Sequence, residues 1–212
     1  MTADADYTKV LDMLAHQRLP AYVSYVDSMD MHGIRDYDGD THGPQHIIVD
    51  TRAKKIIAGD PQHVHIGNMH SENNPILNPA FDPRCYRATS EEQASYNGSP
   101  ALLFHLDPTC GSRDDYPFTQ LYADPSTSRP LMATGEVSDS ESGGGAHAGI
   151  EQRYAVVSGF VVPSLLNVDV KGTGIVFWLR VHAEESYTNY EFTNDIARAR
   201  RQSPSRAVPS SM

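Results

Sequence analysis

Ten histidines in 212 residues are the feature of this sequence most able to do chemistry. His63 and His65 stand two apart in a short stretch with strand character, which puts both imidazoles on one face, and His70 follows a turn at Gly67. Such a trio is a donor set for zinc, and a zinc ion with an open position would activate water. Asp60 or Glu72 would add a carboxylate, while His32, His42 and His46 lie in the preceding segment. The plainer expectation is that His63, His65 and His70 do not converge, so that no cofactor is required and zinc is the one candidate.

Other chemistry-bearing patterns are weaker. Asp36, Asp38 and Asp40 surround Gly39 as in a calcium loop, but the position that should hold a bidentate glutamate is Ile47, so a solvated acidic turn is expected. Gly143, Gly144, Gly145 and Gly149 have the composition of a phosphate cradle, yet Ile150 opens a strand pattern where a helix N-terminus is needed. The nucleophile elbow of serine hydrolases and the HExxH pair of zinc peptidases are absent. Cys85 and Cys110 are the only cysteines, and both lie among Pro, Asp and Ser. They are expected to be bonded, with Cα atoms about 4.4–6.8 Å apart; the alternative is two unrelated buried thiols. Arg198, Arg200, Arg201 and Arg206 form the one basic cluster, read as a solvated tail or, alternatively, as a contact for an acidic partner or anionic lipid.

The elements that must position these residues follow from periodicity. Tyr7, Val10, Leu11 and Leu14 make a helical stripe, with Asp4 and Asp6 ahead of it and Pro20 beyond its end. From Ala21 the period becomes two, placing Val23, Tyr25, Met29 and Met31 on one face and Ser24, Ser28 and Asp30 on the other. Further strands are expected over 45–50, 54–58 and 63–66, then 150–162, 165–170, 175–182 and 187–192, while 101–106 and 118–123 each read as a strand or a short helix. Residues 73–83 carry three prolines and read as a long irregular crossing that packs through Ile76, Leu77 and Phe81, and 138–149 reads as a loop.

One helix followed by many strands at hairpin spacing argues an α+β fold: a single strongly curved antiparallel sheet, a half-barrel, with the N-terminal helix packed on its concave face. Residues 1–197 are expected to form one domain and 198–212 a basic flexible tail. The formal charge of −10 opposes nucleic acid as a partner, and no apolar run is long enough for a membrane-spanning helix. Residues 1–7 are polar and acidic, so no secretion signal is read there.

Two stretches carry a resemblance. The run YAVVSGFVVP at 154–163, followed by LLNVDVKGTG, IVFWLRVHAEES and YTNYEF, together with an N-terminal helix before LPAYVSYVDSMDMHG, resembles the LolA-like half-barrel superfamily of periplasmic lipoprotein-sorting carriers. The resemblance implies a curved sheet enclosing an apolar groove for acyl chains; the scarcity of helices after the first and the Pro-rich crossing depart from it. The favoured reading is a non-enzymatic binding protein of the cell envelope, or a secreted one if a signal has been removed, holding a lipid or other hydrophobic small molecule. Tyr25, Met29 and Met31 on the first strand and Phe177 and Leu179 near the end are the candidate lining residues. A metal-dependent β-barrel enzyme using the HxH strand and a structural or self-assembling interaction protein are the alternatives.

Overall fold

A computed structural model describes residues 3–33, 42–59, 74–141, 144–174 and 178–201. The predicted stripe becomes helix α1 (Ala3–Ala15), with Tyr7 and Val10 buried and Leu11 and Leu14 packed against the same core. Asp4 and Asp6 occupy its first turn, where they complement the positive end of the helix dipole.

Among the described residues ten strands follow, β1 (Tyr22–Gly33), β2 (His42–Asp50), β3 (Lys55–Ala58), β4 (Tyr86–Tyr96), β5 (Ser99–Pro108), β6 (Phe118–Ala123), β7 (Pro130–Glu141), β8 (Gly144–Val157), β9 (Phe160–Gly174) and β10 (Trp178–Thr193), and a short helix α2 (Ile196–Arg201) ends the described chain. They form one antiparallel sheet in the order β3-β2-β1-β10-β9-β8-β7-β6-β5-β4, open at β3 and β4. Every neighbouring pair but one joins strands consecutive in sequence. The exception is the β1–β10 seam, whose register runs from Tyr22 opposite Thr193 to Gly33 opposite Val181.

Alternation gives the sheet one apolar face. Val23 and Tyr25 of β1, Ile47 and Val49 of β2, Phe104 of β5, Leu121 of β6, Leu166 and Val168 of β9 and Tyr187 of β10 belong to one continuous buried cluster. Tyr190 joins them although it lies three residues from Tyr187. Asn189, at φ +52°, occupies an irregularity in the register between β1 and β10, and the extra residue returns Tyr190 to the inner face.

Several boundaries differ from the sequence expectation, each for a local reason. The polar stretch before residue 97 is β4, an edge strand whose Glu- and Ser-rich outer side suits exposure. The expected loop over 138–149 is the paired part of β7 and β8, with Ser138 opposite His147 and Glu141 opposite Gly144. Ser158 and Gly159 both adopt positive φ, a tight hairpin turn, so one expected strand over 150–162 is two strands, and the second runs on as β9 without a break at Pro163. The separate strands expected near 175–182 and 187–192 are one, β10. The expected strand over 63–66 and the acidic turn at Asp36, Asp38 and Asp40 lie outside the described residues. Among the described residues no helix is long and apolar enough to cross a membrane.

Candidate apolar cleft

A cleft of about 540 Å³ lies between α1, the 75–84 crossing and the β8–β9 hairpin. Leu11, Leu14 and Leu19 line one side, Pro75, Ile76, Leu77 and Phe81 a second, and Tyr154, Val161, Val162 and Pro163 a third. Of the helical stripe, Tyr7 and Val10 are buried in the core, while Leu11 and Leu14 line the cleft together with Asp12 and Ala15.

The crossing is irregular but firmly tied. Asn74 begins it: its Oδ1 accepts from the backbone N–H groups of Ile76 and Leu77, both at 2.9 Å, its backbone pairs with Asn78, and its Nδ2 donates to the Tyr25 hydroxyl at 3.2 Å. This side-chain turn supplies the backbone partners that a strand or helix would otherwise provide. At the far end the Phe81 N–H donates to Gln152 Oε1 at 3.1 Å, and Gln152 Nε2 donates to the Tyr154 hydroxyl at 2.9 Å. Gln152 is 2% exposed, and these bonds satisfy its buried amide. The Phe81 ring packs against Tyr86 and Phe118 at centroid distances of 5.0 and 5.1 Å, forming the inner end of the cleft.

Two further contacts fix the helix relative to these walls. The Tyr7 hydroxyl donates to the Pro83 carbonyl at 2.7 Å, and burial pushes this phenol's pKa up, so it remains a donor. Gln17 acts as a two-way clamp, its Nε2 donating to the Val161 carbonyl at 2.8 Å and its Oε1 accepting from the Val161 N–H at 2.7 Å.

Three charged residues belong to the lining, Asp12, Asp82 and Arg84. Asp82 caps the short 3-10 helix Pro83–Cys85 and grips the Arg84 guanidinium through both carboxylate oxygens. Burial alone would raise the Asp82 pKa, but the Arg84 side chain and backbone N–H more than offset it and hold the carboxyl below its ordinary value. Next to this cap, Cys85 and Cys110 form the expected disulfide, with Cα atoms 5.0 Å apart. The Thr109 N–H donates to the Cys85 carbonyl at 2.7 Å, so the chain on both sides of the bridge is also paired.

The residues singled out from the sequence are distributed as follows. Tyr25 is fully buried between Tyr187 and Tyr190, Met29 is buried, and Met31 packs partly buried against the core. Leu179 takes its place in β10 opposite Gly172, while Phe177, His63, His65 and His70 lie outside the described residues. Among the described residues no group of His, Cys, Asp and Glu has the arrangement of a metal site. The cleft draws instead on Ile76, Leu77 and Phe81, read as packing residues of the crossing, and on Leu11 and Leu14, read as the helix stripe. Gln17, Asn74 and Gln152 were missed, because a lone amide in a polar stretch carries no periodic signal.

No family model and no curated protein matches this sequence. The structure is similar to a DUF1329 family protein from Desulfovibrio piger, with a TM-score of 0.45 and 10% identity over 93% of this chain and 99% of that one. It is also similar to an outer membrane lipoprotein-sorting protein domain from Vibrio parahaemolyticus, with a TM-score of 0.47 and 10% identity over 94% of this chain and 98% of that one. The second is of the kind named by the sequence resemblance. At these scores no role passes from either protein to this chain.

Proposed function

We propose that this chain is a non-enzymatic binding protein that holds a lipid or other hydrophobic small molecule in the cleft between α1 and the 75–84 crossing. The observation that carries the reading is the cleft itself. Its volume of about 540 Å³ falls within the roughly 300–1,000 Å³ of small-molecule sites. Its walls are largely aliphatic, and two of its three charged residues, Asp82 and Arg84, satisfy each other. An acyl chain entering it would gain about 0.8 kcal/mol per buried methylene.

A half-barrel form of the sheet, with α1 and the crossing on its concave face, is supported by reach. Asn74 meets Tyr25 on β1, and Phe81 meets Tyr86 at the start of β4. Seven residues extend at most about 25 Å, and 74–78 is folded back on itself. In a flat sheet β1 and β4 would stand about 34 Å apart at ordinary strand spacing. Curvature brings the two flanks within the span of one short segment. In such a form Tyr25, Met29 and Met31 would extend the apolar wall beyond the cleft. The disulfide supports an oxidising compartment such as the cell envelope.

The test is titration of a fluorescent fatty acyl probe into wild-type protein, Leu77→Trp and Met31→Trp. Wild type is expected to bind, and Leu77→Trp to lose at least ten-fold in affinity by filling the cleft. Met31→Trp separates a ligand confined to the cleft, which tolerates it, from one that reaches the β1 face. Failure of wild type to bind the probe would overturn the reading.

A further inference from the structure

The β1–β10 seam is where the sheet depends on pairing between the two ends of the chain, and its inner face carries two carboxyl groups. Register places Asp27 opposite Tyr187 and Met29 opposite Glu185, so Asp27 and Glu185 are diagonal neighbours on one face. Each is 1% exposed. Flanking them are Gln45 of β2, opposite Asp27, and Leu166 of β9, opposite Glu185. Tyr25 from β1 and Tyr187 and Tyr190 from β10 complete the surroundings, and Asn74 of the crossing donates to Tyr25. The groups acting on Glu185 are the Asp27 carboxyl and the Tyr187 hydroxyl. Neither Glu185 oxygen has a donor at full hydrogen-bonding geometry.

Two ionised carboxylates side by side in such a setting repel each other across a low-dielectric medium, and each loses its hydration. A single proton between them removes the repulsion and places a donor between the two carboxyls. We infer that Asp27 and Glu185 form a buried acid pair that shares one proton at neutral pH, and that release of this proton in mildly alkaline solution loosens the β1–β10 seam. The seam then acts as a pH-sensitive release element for the three N-terminal strands, independent of whether the cleft holds a ligand.

The direction of the effect follows from linkage. Burial, and next the Asp27 carboxylate, push the Glu185 pKa up from its ordinary 4.5 to about 8. The folded chain thus holds this proton more tightly than the unfolded chain. Its contribution to stability is complete below about pH 4.5 and is lost as pH rises through about 8.

Carbon-13 NMR titration of the side-chain carboxyls of wild-type protein tests the shared proton. The expected result is that one of the two carboxyls is protonated at pH 7 and that Glu185 titrates near pH 8; both carbons ionised at pH 7 would overturn the proposal. Amide hydrogen exchange at pH 9 tests the consequence. β1 and β10 are expected to exchange at least ten-fold faster in wild type than in Glu185→Gln, while β5 and β6 exchange alike. Equal exchange of β1 and β10 in the two proteins would refute the release element. Should Glu185→Gln not fold, the exchange of wild-type β1 and β10 relative to β5 and β6, corrected for intrinsic rates, at pH 6 and pH 9 decides the same point.

Discussion

The inner face of the sheet is filled in two ways at its two flanks. Around β1 and β10 it is filled by side chains of the sheet itself, with Tyr25, Tyr187 and Tyr190 packed ring to ring beside Asp27 and Glu185 and the crossing adding Asn74 at the Tyr25 hydroxyl. Around β4, β6 and β8 it is covered by imported pieces, α1 and the crossing, and these stand far enough apart to leave the cleft. The difference shows what a cavity requires. Strand side chains at 4.8 Å spacing interdigitate and leave little room, whereas a helix and an irregular segment held by a few specific bonds, Tyr7 to Pro83, Gln17 to Val161 and Phe81 to Gln152, can be set apart.

The largest effect that would sharpen this contrast is at Phe81. Its ring is 1% exposed and closes the inner end of the cleft. Phe81→Ala is expected to lower stability by about 3–5 kcal/mol in denaturant titrations. Because the void adjoins the cleft, saturating decanoic acid is expected to restore part of the loss by mass action. If added acid leaves the variant unchanged, the void is sealed from the cleft and the two flanks are alike.

A somewhat smaller effect is expected from opening the disulfide. The bridge links residues 25 apart, and on the chain-entropy relation its removal in a Cys85→Ala, Cys110→Ala variant should cost about 3.5 kcal/mol. The cleft flank should respond first, with hydrogen exchange at Phe81 and Cys85→Ala rising while β1 and β10 keep their protection. Uniform loss of protection across both flanks would erase the distinction.

Much of this arrangement was legible in the sequence. The stripe at Tyr7, Val10, Leu11 and Leu14 specified α1, and alternation from Val23 to Met31 specified both β1 and its inner face. Cys85 and Cys110 were read as a pair from their number and surroundings. The turns could also have been found, since Asn97-Gly98 and Ser158-Gly159 are short-range hairpin signals and both adopt positive φ. Edge strand β4 escaped because its outer side is polar, and the adjoining ends of β7 and β8 over 138–149 because the glycines there imitate a loop although the backbone is paired; the rest of β8 was read as part of the strand over 150–162.

The seam and the cleft were harder to read for a different reason. Nothing local in β1 indicates β10 as its neighbour; that pairing arises from the path of the whole meander. Asp27 and Glu185 each look like a routine charge in a strand, and only their juxtaposition sets them apart. Likewise Ile76, Leu77 and Phe81 could be picked out as apolar residues that must pack, but the space between them and Leu14 depends on how Asn74, Gln17 and Gln152 hold the pieces.

The most direct measurement is a crystal structure with a fatty acid brominated at its terminal carbon, with the bromine located by anomalous diffraction. The expected position of the chain is between Leu14, Leu77 and Val162, with the bromine near Phe81 at the inner end. A cleft empty of bromine at saturating ligand would contradict the assignment of this site.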